Sequence, residues 1–178
     1  MTDFVFFWDG PFSQWEPSTF EIDGVEYNCA EQYMMAEKAR LFNDQEALDE
    51  IMESDDPRHQ KALGRLVKNF DEAIWQEDDD NGYPRCWNIV WRGNMAKFSQ
   101  NQHLLEDLFK TGDAALVEAS PFDCIWGVGL RASDPRIKNP DNWRGSNWLG
   151  EVLTVVRGFL KANSTPYEST LDARFPGG

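Results

Sequence analysis

Glu31 and Lys38 stand seven residues apart in Ala30-Glu31-Gln32-Tyr33-Met34-Met35-Ala36-Glu37-Lys38-Ala39-Arg40. The segment reads as a half-buried helix. Seven residues make nearly two turns, so the two side chains share a face, roughly 10 Å apart along the axis. Met34 and Met35 lie between them. A carboxylate and an amine on an apolar stripe need a reason, because an unpaired buried charge is costly. Chemistry is one: a partly desolvated lysine loses its proton more readily and becomes a nucleophile. Two structural readings stand beside it. Asn28-x-x-Glu31 fits a capping box, and Lys38 can snorkel past the methionines to water.

The elements that must position this pair are legible in outline. Phe4 to Phe7 reads as a strand. Phe20 to Tyr27 alternates around Asp23-Gly24, a hairpin signal. Helices are expected at about Cys29–Phe42, Asp44–Glu53, Asp56–Lys68 (Asp56 as cap, Pro57 at the first position), Cys86–Gln100, Gln102–Phe109 and Asn147–Ala162, with a helical turn at Asp71–Gln76. Ala115–Ala119 reads as a strand, Ile125–Leu130 as a second strand or turn, and Arg131–Arg144 as loop. The expected fold is α+β: a single, mostly helical domain with a few short strands, spanning residues 1–162. Residues 163–178, polar and without period, are expected to be a flexible C-terminal tail.

A chain of 178 residues with 41% hydrophobic residues, eight Trp and twelve Phe suits one globular domain. No apolar run reaches the ~18 residues of a membrane span, so no membrane partner is expected. The N-terminus lacks a basic n-region, which makes the cytoplasm the expected compartment and leaves the nucleus open. Cys29, Cys86 and Cys124 form no C-x-x-C motif and read as small buried hydrophobes. With only His59 and His103 as histidines, no cluster has zinc-ligand spacing, and an all-oxygen Mg²⁺ site stays open. The formal net charge of −14 argues against sequence-blind wrapping of nucleic acid. Locally, Arg131, Arg136, Lys138 and Arg144 outnumber Asp134 and Asp141, a patch that suits either a phosphate or an ordinary solvated loop.

Five segments carry residue choices that packing alone leaves unexplained. They are Phe12-Ser13-Gln14-Trp15, Glu31 to Lys38, Trp91 to Phe98, Ser120 to Leu130, and Asn142 to Gly150. In this order they resemble the NADAR family of YbiA-like proteins, from about Phe6 to Arg157. The resemblance implies an N-glycosidase that cuts between C1 of a phosphorylated ribose and a base nitrogen. Two substrate classes go with it: ADP-ribose on guanine, and ribosylated pyrimidine intermediates of riboflavin biosynthesis. The family's reactive lysine matches Lys38 and its glutamate matches Glu31. Lysine would form a Schiff base with C1, and glutamate would move protons.

The remaining site expectations follow from that resemblance and the chemistry it implies. Ser13 and Gln14 match a pair near the family's site and would hydrogen-bond the ligand, or serve a turn. Trp126 offers a flat face to a base or a cationic sugar, or belongs to the core. Gly127 and Gly129 would let backbone approach the ligand. Arg92, Lys97 and Arg144 are candidate phosphate ligands or surface charges. Asn147 caps the last helix, where it could also hold a phosphate. No cofactor or metal is implied. Val128 stands where riboflavin-intermediate enzymes of the family carry an acid, and losing that charge from a pocket edge would tilt the substrate towards ADP-ribosyl-guanine in nucleic acid or nucleotide. The alternatives are a small phosphoribosylated pyrimidine, or non-catalytic binding of NAD or ADP-ribose derivatives.

Overall fold

The computed structural model describes residues 3–80 and 82–163. The element order is β1 (Phe4–Phe7), β2 (Phe20–Ile22), β3 (Val25–Tyr27), α1 (Ala30–Leu41), α2 (Gln45–Glu53), α3 (Pro57–Arg65), α4 (Glu72–Trp75), α5 (Arg85–Gln100), α6 (Gln102–Lys110), β4 (Ala115–Glu118) and α7 (Trp148–Asn163), with three short 3-10 turns between them. The architecture is α+β and mostly helical. α7 is described as far as Asn163, and residues 164–178, where a tail was expected, lie outside the described residues.

β1 pairs in parallel with β4, with Phe4 opposite Ala115 and Phe7 opposite Glu118. β2 and β3 form an antiparallel hairpin. Asp23 and Gly24 both take positive φ, as a tight I′ turn requires. Ile125–Leu130 forms no strand. It is an irregular loop stitched to its neighbours, with Val128 N–H donating to Glu118 O at 3.0 Å and Arg144 N–H to Val128 O at 2.9 Å.

α1 runs through the middle of the molecule. Ala30 to Ala36 and Ala39 are all buried, because α2, α3 and α5 pack around it. Two glycines permit that closeness. A methyl at Gly93 of α5 would stand 2.6 Å from the Tyr33 ring, and one at Gly64 of α3 would collide with Met35. A second, smaller core joins Val117, Ala119, Val128, Leu130 and Ile137 beneath Phe4, Phe6 and Trp143.

The start of α1 differs from the expected capping box. Cys29, not Asn28, is the N-cap, and its Sγ accepts from Gln32 N–H. Gln32 Oε1 accepts from Asn28 N–H at 2.8 Å. The reciprocal cap is thus supplied by Gln32, and Glu31 is left out of it. Burial pushes the Cys29 thiol up to about 11, which suits an inert structural group. Cys86 is buried as expected, but Cys124 is exposed.

Candidate active site

A cavity of about 770 Å³ opens beside α1. Its wall includes Glu31, Met34, Met35 and Lys38 from α1, Ser13 to Glu16 from the loop before β2, Arg58, Lys61 and Arg65 from α3, Glu118 from the end of β4, and Ser120, Phe122, Asp123 and Trp126 from the following loop. Glu31 and Lys38 therefore face the same space from positions nearly two turns apart on one helix. No ion pair joins them.

Their protonation is pushed in opposite directions. Burial lifts Glu31 above the ordinary carboxylate range. Lys61 and Arg65 and a contact from the Trp15 side chain pull it back, and Asp123 adds to the rise. Burial lowers Lys38, and the like charge of Arg65 lowers it further. Lys38 Nζ rests 3.9 Å from the Phe70 ring centroid and 5.9 Å from that of Trp75. This cation–π seat holds the amine in place when it is charged.

Glu118 was not among the residues expected from sequence. Burial first, then Asp123 and Glu31, push its carboxyl up to about 7, against the pull of Lys61. Its Oε2 is buried and has no hydrogen-bond partner among the described residues. The signal available in the sequence was a carboxylate ending an otherwise apolar strand. Arg58, Lys61 and Arg65 were missed too, although their i, i+3, i+7 spacing along α3 places them on one face.

The expected site residues divide into two groups. Ser13, Gln14 and Trp126 line the cavity with Glu31 and Lys38. Ser13 Oγ accepts from Trp15 N–H at 3.1 Å, so it also serves its turn. Gln14 O accepts from Glu31 N–H at 3.0 Å. Gln14 Oε1 accepts from Asn94 Nδ2 at 2.8 Å, while its Nε2 is buried without a partner among the described residues. Trp126 packs edge-to-face on Trp148 with centroids 5.7 Å apart.

The second group lies outside the cavity lining. Lys97 is fully buried behind it and donates from Nζ to Ser13 O at 2.8 Å. It holds the wall rather than a phosphate. Arg92 pairs with Asp23 at 2.8 Å and borders a separate hollow of about 340 Å³. Arg144 borders another, of about 580 Å³, with Arg131 and Arg136. Asp134 there pairs with Arg136, which blunts the basic patch. Asn147 does not cap α7 through its side chain. Its Oδ1 accepts from Glu118 N–H and its Nδ2 donates to Leu116 O, both at 2.9 Å, which pins β4 to α7. Gly127 and Gly129 serve packing of the loop: a Cβ would meet Ser120 and Glu118 O at the first, Arg144 and Cys124 at the second. Val128 is fully buried in the second core. Its expected influence at a pocket edge falls away, because the loop carrying it is hydrogen-bonded to Glu118 and Arg144 and packs its side chain into that core.

Comparison with known proteins bears on the family and the fold. The model of the NADAR domain matches residues 6–161. The chain is 45% identical over 152 residues to a protein of Acanthamoeba polyphaga mimivirus named N-glycosidase R617, covering 82% of this chain and 85% of that one. It is 27% identical over 161 residues to the Zea mays riboflavin biosynthesis protein PYRR, chloroplastic, covering 84% of this chain but 23% of that longer protein. The NMR structure of the E. coli protein YbiA shares the fold, with a TM-score of 0.74 at 23% identity over 96% of this chain and 92% of that one. The motifs read from the sequence, the match over nearly all the described residues and the shared fold converge, and the chain belongs to the NADAR domain family.

Proposed function

We propose that this protein is an N-glycosidase that removes ADP-ribose from guanine, with Lys38 as nucleophile and Glu31 as proton donor and acceptor. The observation that carries the reading is the placement of both groups on one wall of one cavity, with burial favouring a neutral amine and a protonated carboxyl. The mimivirus relative's name, N-glycosidase, supports the reaction class.

Glu31 gives its proton to the departing base nitrogen as the C1–N bond breaks. Neutral Lys38 attacks C1, and the new C–N bond loses a proton to solvent. The sugar ring opens, its ring oxygen takes a proton, and a lysine Schiff base remains at C1. Water, deprotonated by Glu31, adds to C1. Collapse expels Lys38 and releases ADP-ribose, with Glu31 again protonated. Glu118 keeps a second exchangeable proton beside Glu31 near neutral pH.

A second reading, hydrolysis of a phosphoribosylamino-pyrimidine, is favoured by the name of the maize relative. Borohydride trapping separates the two readings. Incubation with ADP-ribosylated guanosine and reductant is expected to leave an adduct on Lys38, found by intact mass and peptide mapping. Guanine release without an adduct would replace the lysine step with direct attack by water. Neither adduct nor release would transfer the assignment to the pyrimidine substrate, or to a binding module.

A further inference from the structure

Lys38 Nζ makes no hydrogen bond and no ion pair among the described residues. What it touches is aromatic. The amine lies 3.9 Å from the Phe70 ring centroid and 5.9 Å from that of Trp75. Both rings are fixed from behind. Phe70 packs edge-to-face on the buried Phe42 with centroids 5.3 Å apart, and Trp75 is itself buried at the end of α4. Neither ring is among the residues that wall the cavity. Lys38 thus borders the cavity while its nitrogen rests on rings that do not.

Charged groups surround this seat without occupying it. Arg65 of α3 repels the ammonium, and Arg58 and Lys61 carry the same sign along that helix. Glu37 of α1 pairs with Arg40, and Asp71 beside Phe70 caps α4. The carboxylates of the cavity wall, Asp9, Glu16, Glu31, Glu118 and Asp123, form no ion pair with Lys38 among the described residues. The attraction that holds the charged amine is therefore that of the ring faces. It depends on the proton. A cation is drawn to the negative face of an aromatic ring, and a neutral amine, whose lone pair is also negative, is not.

We propose that Phe70 and Trp75 are positioning residues that hold the Lys38 amine out of the cavity while it is protonated and free it to turn into the cavity once the proton is lost. The assignment rests on the proposed role of Lys38 as nucleophile. It makes the reactive form of the amine also the released form.

The test changes the charge distribution of one ring and almost nothing else. In the full chain, Phe70 is replaced by phenylalanine carrying one, two or three fluorines, which withdraw electron density from the ring face at nearly constant shape. Acetylation of Lys38 by acetic anhydride is followed across pH by peptide mapping, with no substrate present. The labelling midpoint should fall with each fluorine, by about half to one pH unit in all, a loss of roughly three- to tenfold in proton affinity. Phe70 is 42% exposed, so the thermal midpoint should stay unchanged. With ADP-ribosyl-guanosine as substrate, the acid limb of kcat/KM should move to lower pH by the same amount, while the plateau at high pH stays where it is. A labelling midpoint that ignores fluorination overturns the proposal, whatever happens to turnover. A plateau that falls with fluorination overturns the release step, since the rings would then guide the neutral amine as well. Labelling needs no glycosidase chemistry. A midpoint that moves in a protein that never cuts ADP-ribosyl-guanosine would leave the seat standing and overturn the proposed function alone.

Discussion

Lys97 Nζ donates to the Ser13 carbonyl at 2.8 Å from a position with no solvent exposure. A buried amine thus supports the loop that carries Ser13 and Gln14 into the cavity. Burial drags Lys97 down to about 7, while burial lifts Glu118 up to about 7. The signs are opposite for stability. Between about 4.5 and 7 the native state holds the Glu118 proton that the unfolded chain gives up, so stability falls as pH rises. Between 7 and about 10.5 the unfolded chain binds the Lys97 proton that the native state lacks, so stability rises with pH. These two groups together place a minimum near pH 7. Urea unfolding at pH 5.5, 7 and 9 should show it. In Glu118→Gln the decline below pH 7 should shrink to the part that Glu31, also raised by burial, contributes, with a gain on the order of 1–3 kcal/mol at pH 8.

Lys38→Ala should abolish turnover, a loss of at least about a thousandfold, because the proposed nucleophile is removed; Lys61 in the same wall is not expected to replace it. Glu31→Gln should cost about 10²–10⁴ in kcat. It should leave the thermal midpoint unchanged or raised, since Glu31 takes no part in the helix cap and its charge is disfavoured by burial. Steady-state kinetics with differential scanning calorimetry separates the two effects. A Glu31→Gln variant that unfolds several degrees earlier would instead mark Glu31 as structural.

Arg65 depresses Lys38 by like-charge repulsion. Arg65→Gln should therefore raise the Lys38 pKa, and the acid limb of kcat/KM should move to higher pH. The sign follows from the requirement for a neutral amine. A pH–rate profile checks it, with borohydride trapping at pH 6.5 expected to slow in the variant.

Gly93→Ala and Gly64→Ala should differ. Each gains roughly 1 kcal/mol in helix propensity. At Gly93 the added methyl meets the Tyr33 ring, which has little room to move, and overpacking of this kind costs about 1–3 kcal/mol. At Gly64 it meets the flexible Met35 side chain, which can re-rotamer. Equilibrium unfolding should show Gly93→Ala clearly destabilised and Gly64→Ala close to neutral.

The amino-acid sequence by itself determined the local elements and the central pair. Asp23-Gly24 could only be a hairpin turn, Asp56-Pro57 a helix start, and Glu31 and Lys38 could only share a helix face, because each follows from backbone geometry within a few residues. Ser13, Gln14 and Trp126 were singled out through the order of the sequence motifs, and the fold brings all three to the cavity that Glu31 and Lys38 line. What only the tertiary structure decided was the fate of charges whose partners are distant in the chain. Lys97 meets Ser13 across 84 residues, Arg92 meets Asp23 across 69, and Asn147 is consumed by β4 across 29 and 31. In sequence all three look like ligands waiting for a phosphate. Glu118 shows the converse: the end of a short strand looks unremarkable until β1, α7 and the Ser120–Leu130 loop close around it and strip its carboxylate of water. Burial is a property of the assembled chain, and so is the electrostatics that burial creates.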